Sequence, residues 1–253
     1  MKVFSMIAFL SVMALSATAG DGSLSISPGV VMLRGVPGQS TTQTMKLANG
    51  TSQPFSFELK AQDVVVRDGN RVFVDAGQLA GSIATTAAFS RKTVTIAPGE
   101  SVRVDVTITI PPKPSARAIL ALFHGTTKVK QGNVGATVSL GMLMTFALSD
   151  DVVPTTTSLN VHPPTSTSNL AADQQLSNGG SEPFVATGML AIINRSGALA
   201  GRTAAPPRRL LPGERIDVRA EYAGDLAPGH YRAIMTYQLA ATSLTSTAEF
   251  DVR

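Results

Sequence analysis

The chain has 253 residues, of which 15% are charged, with a net charge of +4 and neither cysteine nor tryptophan. The missing thiols exclude disulfides, cysteine nucleophiles and cysteine metal sites. The few aromatic residues and the lack of a long basic run argue against a nucleic-acid-binding face. The composition indicates no cofactor, and the length allows two domains that each bury their own core.

The first residues have the pattern of a targeting segment. Lys2 is followed by an apolar stretch from Val3 to Leu15 and by the small-residue signal Ala17-Thr18-Ala19. This order predicts a signal peptide over 1–19 and export of the mature chain to the periplasm or the cell surface. The alternative, a retained membrane anchor, is disfavoured because the apolar stretch is short for a span. No later run is long enough to cross a membrane.

Residues 20–150 consist of short segments in which apolar and polar residues alternate, the period of half-buried strands. Turn signals separate these segments, for example Asn49-Gly50 and the Asp-Gly pair within Arg67 to Asn70, which favours a tight hairpin. Ala76 to Lys92 is rich in alanine and glycine and is predicted to be a loop or a short helical turn. Strands are predicted over 24–33, 38–48, 55–60, 64–66, 72–74, 93–97, 102–110, 118–123 and 134–148.

The stretch from Thr93 to Pro112 supplies evidence of duplication. Pro98-Gly99-Glu100 predicts a type II turn, because proline sets φ at the second position and glycine accepts positive φ at the third. The same tripeptide followed by alternation recurs at Pro212-Gly213-Glu214, and Arg117-Ala118-Ile119 recurs as Arg232-Ala233-Ile234, each about 115 residues later. This spacing indicates a repeated β domain.

The second domain is predicted over 169–253, after a linker at 151–168 that is rich in proline, serine and threonine. Leu159 to Val161 is an alternative first strand of this domain. Further strands are predicted over 184–194, 214–222, 231–239 and 244–252. No segment has a convincing helical period, so the predicted fold class is all-β, with two tandem immunoglobulin-like antiparallel β-sandwich domains.

No constellation for catalysis or metal binding is evident. His124, His162 and His230 are isolated from one another, and no zinc-protease or nucleophile-elbow motif is present. Asp63, Asp68, Asn70 and Asp75 surround a hairpin, but their spacing is not that of a calcium loop and is better explained by turn chemistry. The sequence therefore predicts a non-enzyme without metal or cofactor.

The strand over 134–148 is the main functional candidate. If it lies at a sheet edge, its backbone can pair with a strand of a partner while its apolar side chains fill the partner's pockets. The alternative is that this face forms the core of domain one. The apolar residues of one parity, which are the candidate partner-binding residues, are Val138, Leu140, Met142, Met144 and Phe146.

Arginines are the candidate contacts to an anionic group. Arg208 and Arg209 follow two prolines and could bind a carboxylate or phosphate as paired forks, while Arg34 directly follows the strand predicted over 24–33. The alternative for Arg208 and Arg209 is a solvated loop.

The order of elements resembles the periplasmic pilus-assembly chaperones. In that family, the last strand of domain one lends apolar side chains to an incomplete subunit, and an arginine and a lysine in the interdomain cleft bind the subunit's terminal carboxylate. Here no cation lies near Met144, where the family's lysine would fall, and the early-strand arginine has no match among Pro28 to Leu33. The segments that carry the resemblance are Ile26 to Val31, Lys46-Leu47-Ala48-Asn49, Ile96-Ala97-Pro98-Gly99, Ala118 to Phe123 and Val134 to Phe146.

The resemblance implies a non-catalytic, exported, chaperone-like protein that binds and assembles appendage subunits by strand pairing. Its expected partners are other exported proteins, either appendage subunits or envelope proteins, and no nucleic acid. The patterns at Pro98-Gly99 and at Leu226 to Tyr231 are also similar to those of two-domain WxL-interacting surface proteins. That similarity implies the alternative function, a cell-envelope binding module that acts through loops such as Ala76 to Lys92.

Overall fold

The computed structural model describes residues 22–128 and 135–253, so the predicted signal peptide lies outside the described residues. Within these ranges the chain forms strands and one short 3₁₀ turn, arranged as four sheets in two sandwiches. The predicted fold class of two tandem immunoglobulin-like β-sandwiches is confirmed. No helix in the described ranges is long and apolar enough to cross a membrane.

Domain one contains ten strands in two sheets. One sheet has the order β1-β3-β8-β6, and the other has the order β2-β10-β9-β4-β5, with β7 also paired to β4. The strands are β1 (Leu24–Ser27), β2 (Val30–Arg34), β3 (Ser40–Asn49), β4 (Phe55–Arg67), β5 (Asn70–Asp75), β6 (Ala88–Phe89), β7 (Thr93–Ile96), β8 (Ser101–Thr109), β9 (Ala118–Lys128) and β10 (Gly135–Ala147).

The core of domain one lies between these two sheets. On β8, Val104, Val106 and Ile108 are completely buried while the residues between them face solvent, as strict alternation requires. Phe57 of β4 and Phe123 of β9 meet them from the other sheet, with their rings edge to face at 6.0 Å. Burial of this apolar face is the main force that holds the two sheets together.

Domain two contains eight strands. One sheet is built on β13, which pairs with β11 and β12 on one side and with β16 on the other, and the second sheet has the order β15-β14-β17-β18. The strands are β11 (Pro154–Thr156), β12 (Asn160–His162), β13 (Leu170–Asn178), β14 (Phe184–Asn194), β15 (Leu199–Leu210), β16 (Arg215–Tyr222), β17 (Gly229–Gln238) and β18 (Ser243–Val252).

The segment predicted as a linker, 151–168, requires correction because β11 and β12 both lie within it and belong to the sheet of domain two. Each of these strands has only three residues, too few to display an alternating period. The alternative placing a strand at Leu159 to Val161 agrees with β12.

The two repeated Pro-Gly-Glu turns occupy equivalent places in the two domains. Gly99 and Gly213 have φ values of 77° and 78°, the left-handed conformation that glycine accepts without a steric penalty. In each domain the turn carries the chain from one sheet of the sandwich to the other, from β7 to β8 and from β15 to β16. The predicted turn is confirmed in both copies.

A buried asparagine supports each of these turns. The backbone N–H of Asn49 donates to the carbonyl of Glu100 at 2.9 Å, and that of Asn178 donates to the carbonyl of Glu214 at 3.0 Å. The side-chain amide of Asn49 also donates to the carbonyl of Gln53 at 2.8 Å, as that of Asn178 does to the carbonyl of Glu182 at 2.9 Å. This shared network is further evidence that the domains are copies of one unit.

The segment 76–92 is packed on domain one through Asp63, which is fully buried on β4. One carboxylate oxygen of Asp63 accepts the backbone N–H groups of Ile83 and Ala84, at 2.9 and 3.0 Å, and the other accepts the hydroxyl of Ser82. The 3₁₀ turn Ala84–Thr86 follows directly. Asp63 therefore anchors the 76–92 segment to β4.

We expect Asp63→Asn to lower the free energy of unfolding by about 1–3 kcal/mol, because a neutral amide accepts these buried hydrogen bonds less strongly than a carboxylate. Thermal unfolding measured by circular dichroism tests this result. Asp75→Asn is the matched control, because Asp75 is exposed and its carboxylate accepts from the Gln62 side chain at 2.8 Å rather than from buried groups. Equal stability of the two variants would contradict the anchoring role of Asp63.

Candidate functional site

Strand β10 is paired along most of its length on one side, but along only part of its length on the other. Strand β9 pairs with it in antiparallel register over 135–145, whereas β2 pairs with it in parallel register only from Leu143 to Ala147. In the described part of the chain, nothing pairs with this second side between Gly135 and Met142. We call the unpaired side over these residues the free edge.

The backbone groups that point out of the free edge can be identified from the hydrogen bonds further along β10. The N–H of Leu143 donates to the carbonyl of Gly29 on the β2 side at 2.9 Å, and the N–H of Phe146 donates to the carbonyl of Arg117 on the β9 side at 2.7 Å. Because successive residues of a strand direct their N–H and C=O groups to alternate sides, Thr137, Ser139 and Gly141 direct theirs away from β9. These groups are available to another strand.

The side chains predicted to contact a partner divide into two sets. Met142, Met144 and Phe146 are completely buried in the core of domain one, so the prediction that they fill pockets of a partner is wrong, and the alternative core interpretation holds for these three. Their side chains face the opposite sheet of domain one, in the same core cluster as Val104 and Val106. Val138 and Leu140, on the half with the free edge, are only partly buried and remain candidates.

The outer face of the same sheet forms one wall of a cleft between the domains. At its base, Leu211 of domain two packs against Val64 and Ala118 of domain one. Further out, Val30 and Phe73 are 49% and 52% exposed, large fractions for apolar side chains. Leu143, the residue that follows the free edge, lines a cavity in this cleft.

Two ion pairs connect the domains across this cleft. The Nε of Arg117 donates to Oε1 of Glu182 at 3.1 Å, and the other carboxylate oxygen of Glu182 accepts the backbone N–H of Leu148 at 2.8 Å. On β5, Arg71 has its Nε 2.7 Å from Oε1 of Glu214. Both glutamates are almost completely buried.

The sequence interpretation did not identify these interdomain contacts. Arg117 and Glu214 belong to the two repeated motifs, but there they served only as markers of duplication. Arg71 and Glu182 had no signal of their own, because the pairing partners lie 143 and 65 residues away in the chain.

The arginines predicted to contact an anion lie in two separate places. Arg34 donates to the carbonyl of Ser149 and to the carboxylate of Asp150, at 2.9 and 2.7 Å, so it binds the end of domain one. Arg208 and Arg209 instead line a cavity of about 600 Å³ in the cleft. They lie in strand β15, which corrects the prediction of a loop at this position.

The environment of Arg209 is unusual for a cation. Burial, together with the neighbouring Arg71 guanidinium, lowers the pKa of Arg209 from its ordinary value. The carbonyl of Arg209 accepts a hydrogen bond from Nη2 of Arg71 at 2.6 Å, which holds the two residues close together.

The three histidines form separate surface contacts. His124 lies 2.9 Å from the Ser139 hydroxyl, His162 contacts Asp173, and His230 lies 3.0 Å from Asp251. No group of three or more side chains suited to hold a metal ion occurs in residues 22–128 and 135–253.

Comparisons with known proteins found similarity in structure but none in sequence. No family model and no curated protein matches the sequence. The chain matches the class 5 fimbriae chaperone CfaA at 12% identity and a TM-score of 0.44, covering 89% of this chain and 98% of that one. It also matches the E. coli chaperone DraB at 11% identity and a TM-score of 0.40, covering 92% and 98%, and the Pseudomonas aeruginosa CupB2 chaperone at 10% identity and a TM-score of 0.38, covering 90% and 100%.

Proposed function

We propose that this chain is a non-catalytic, exported, chaperone-like protein that binds subunits of a surface appendage by pairing one of their strands with the free edge of β10. The observation that carries the proposal is the half-covered strand, in which β2 pairs from Leu143 onward and leaves Gly135 to Met142 without a neighbour. An unpaired edge is a ready template for strand addition. The protein acts outside the cytoplasm, in the periplasm or at the cell surface.

The chemistry of the edge suits a peptide partner. Thr137, Ser139 and Gly141 each offer one N–H and one C=O, and each hydrogen bond formed contributes about 0.5–1.5 kcal/mol net. Val138 and Leu140, between these residues, are partly buried and leave apolar surface next to the added strand. Main-chain pairing thus supplies affinity for many sequences, and the adjacent side chains favour an apolar partner strand.

The free edge from Gly135 to Met142 can supply the strand that an incomplete subunit lacks. An aggregation-prone subunit that lacks a strand exposes an apolar groove, and an added strand covers it and satisfies its backbone groups. The chaperone avoids the same risk because its own edge is short and ends at β2. This asymmetry supports a role in protecting a partner rather than in self-association.

Ser139→Pro is the variant that tests the proposal. Proline removes the outward N–H and places its ring at the edge, but it breaks no hydrogen bond to β9, because Ser139 directs its N–H away from that strand. Leaving one acceptor of the partner unpaired costs roughly 1–3 kcal/mol, so we expect partner capture to fall roughly 5- to 150-fold. Capture is measured as the amount of protein that co-purifies with the tagged chain from its native envelope fraction.

Ser139→Ala is the control, since it removes the hydroxyl contact with His124 and keeps the backbone N–H. We expect this variant to capture its partner as the unmodified chain does, and both variants to unfold at a similar temperature. Full capture by Ser139→Pro would show that the free edge is not the binding site.

A further inference from the structure

The cleft cavity is lined by an excess of positive charge. Arg71, Arg208, Arg209 and Arg215 line it, and Glu214 is the one acidic residue in the lining. Glu214 is already engaged by Arg71 and by the backbone N–H of Leu211 at 2.8 Å. The other three arginines therefore have no acidic counterpart in the lining of the cavity.

The contacts of these three arginines leave donors free for a ligand. The Nε of Arg209 is buried and has no hydrogen-bond partner in the described part of the chain, and an unpaired buried donor is costly unless a ligand satisfies it. Arg208 and Arg215 are exposed and form no ion pair with another described residue. Each guanidinium presents a planar fork that matches a carboxylate.

The same cavity has apolar walls and lies next to the end of the free edge. Val30 and Leu143, the first residues paired between β2 and β10, both line it. It therefore begins where the free edge ends. Ile216 and Pro207 contribute further apolar lining from domain two. Such a mixed surface fits a peptide segment that carries both apolar and anionic side chains better than it fits a small inorganic ion.

We propose that this cavity binds an acidic segment of the partner polypeptide, with two or more side-chain carboxylates held by Arg208, Arg209 and Arg215. This inference rests on the proposed function, because it places the acidic segment at the end of the strand that pairs with β10. The site adds specificity to a main-chain interaction that is otherwise tolerant of sequence.

Three synthetic peptides test the inference. All share a core of alternating valine and serine, long enough to pair with Gly135–Met142. The first carries Asp-Asp at both ends and the second Asn-Asn, both acetylated and amidated, so either strand direction is covered. The third carries Asn-Asn and a free terminal carboxylate. We expect the Asp-Asp peptide to bind about tenfold more tightly than the second and third peptides, with an advantage that shrinks as salt screens the charges.

The variant Arg208→Gln with Arg215→Gln should remove most of this difference. The control, Arg91→Gln with Arg103→Gln, removes the same charge from exposed positions outside the cavity and should leave the difference unchanged. Equal binding of the first two peptides, or a preference for the free terminal carboxylate alone, would overturn the acidic-segment site and leave the strand-pairing function intact. No measurable binding of any peptide would count against both the strand-pairing function and the acidic-segment site. Because Ser139→Pro alters the free edge and not the cavity, it tests the strand pairing on its own.

Discussion

Met144→Asp is expected to unfold domain one and to leave domain two folded. Met144 is completely buried between the two sheets of domain one, where it lies in the same core cluster as Met142 and Phe146. An aspartate there would be a buried charge with no partner, at a cost on the order of 5 kcal/mol or more. That cost is comparable with the whole stability of a typical domain.

The distribution of tyrosines allows the two domains to be followed separately. The chain has no tryptophan, and its three tyrosines, Tyr222, Tyr231 and Tyr237, all lie in domain two. Tyrosine fluorescence should therefore show a cooperative urea transition in the variant, while the strand signal in far-UV circular dichroism falls and domain one becomes sensitive to limited proteolysis. The core cluster of domain two is separate from that of domain one, which is why it is expected to persist.

Met32→Asp is the matched control for this prediction. Met32 lies on β2, next to β10, but on the outer face of the sheet, where it is 36% exposed. The same substitution should therefore leave domain one folded. A folded domain one in Met144→Asp would mean that Met144 can leave the core, and it would restore this residue as a candidate contact for a partner.

The fold could be predicted from the sequence wherever the determinants are local. The alternation from Val102 to Ile110 and the turn at Pro98-Gly99 depend on neighbouring residues only, and both appear as expected. The hairpin at Asp68 and Gly69 is a similar case, since both residues adopt the positive φ that its turn requires. Strand β11 was not predicted, because three residues carry too little periodic information, and β12 was predicted only as the alternative strand at Leu159 to Val161.

The candidate site was only partly predictable. Whether a strand has a free edge depends on which other strands pair with it, and not on its own residues. The alternation of apolar residues along β10 continues without a break from Val138 to Phe146. The first half of the strand has a free edge and the second half is covered, a difference that depends on where β2, more than a hundred residues earlier, begins to pair. The sequence pointed to this strand, but its unbroken alternation could not show which half has a free edge.

The arginines around the cleft could not be predicted as a group either, because their proximity depends on how the two domains are folded and arranged. The sequence placed Arg208 and Arg209 in a loop as an isolated basic pair, because Arg71, which contacts Arg209, is distant in the chain, and Arg215 was seen only as the residue after the repeated Pro-Gly-Glu turn. Only the arrangement of two sandwiches around one cleft brings four arginines together. An excess of like charge at such a place is unfavourable for folding alone, which is consistent with a binding role.

Arg117→Met is expected to lower the free energy of unfolding by roughly 3–5 kcal/mol, because it leaves a buried carboxylate without its counter-ion. The Glu182 side chain is 2% exposed, and of its two oxygens one depends on Arg117 and the other on the N–H of Leu148. Methionine retains much of the volume of the arginine stem, so the loss reports on charge more than on packing. Urea unfolding followed by circular dichroism and by tyrosine fluorescence measures it.

The double variant Arg117→Met with Glu182→Gln distinguishes the cost of an unpaired buried carboxylate from the loss of the other contacts of Arg117. A neutral amide oxygen can still accept from the N–H of Leu148, so the double variant should regain much of the stability lost by Arg117→Met alone. The exposed pair of Arg232 and Glu249, whose atoms lie 2.6 Å apart, is the control, and Arg232→Met there should change stability little, because water screens the remaining charge. If the double variant were instead less stable than Arg117→Met, the carboxylate of Glu182 would be holding the domains together through Leu148 without the help of Arg117, and the cleft would depend on the end of β10 for its shape.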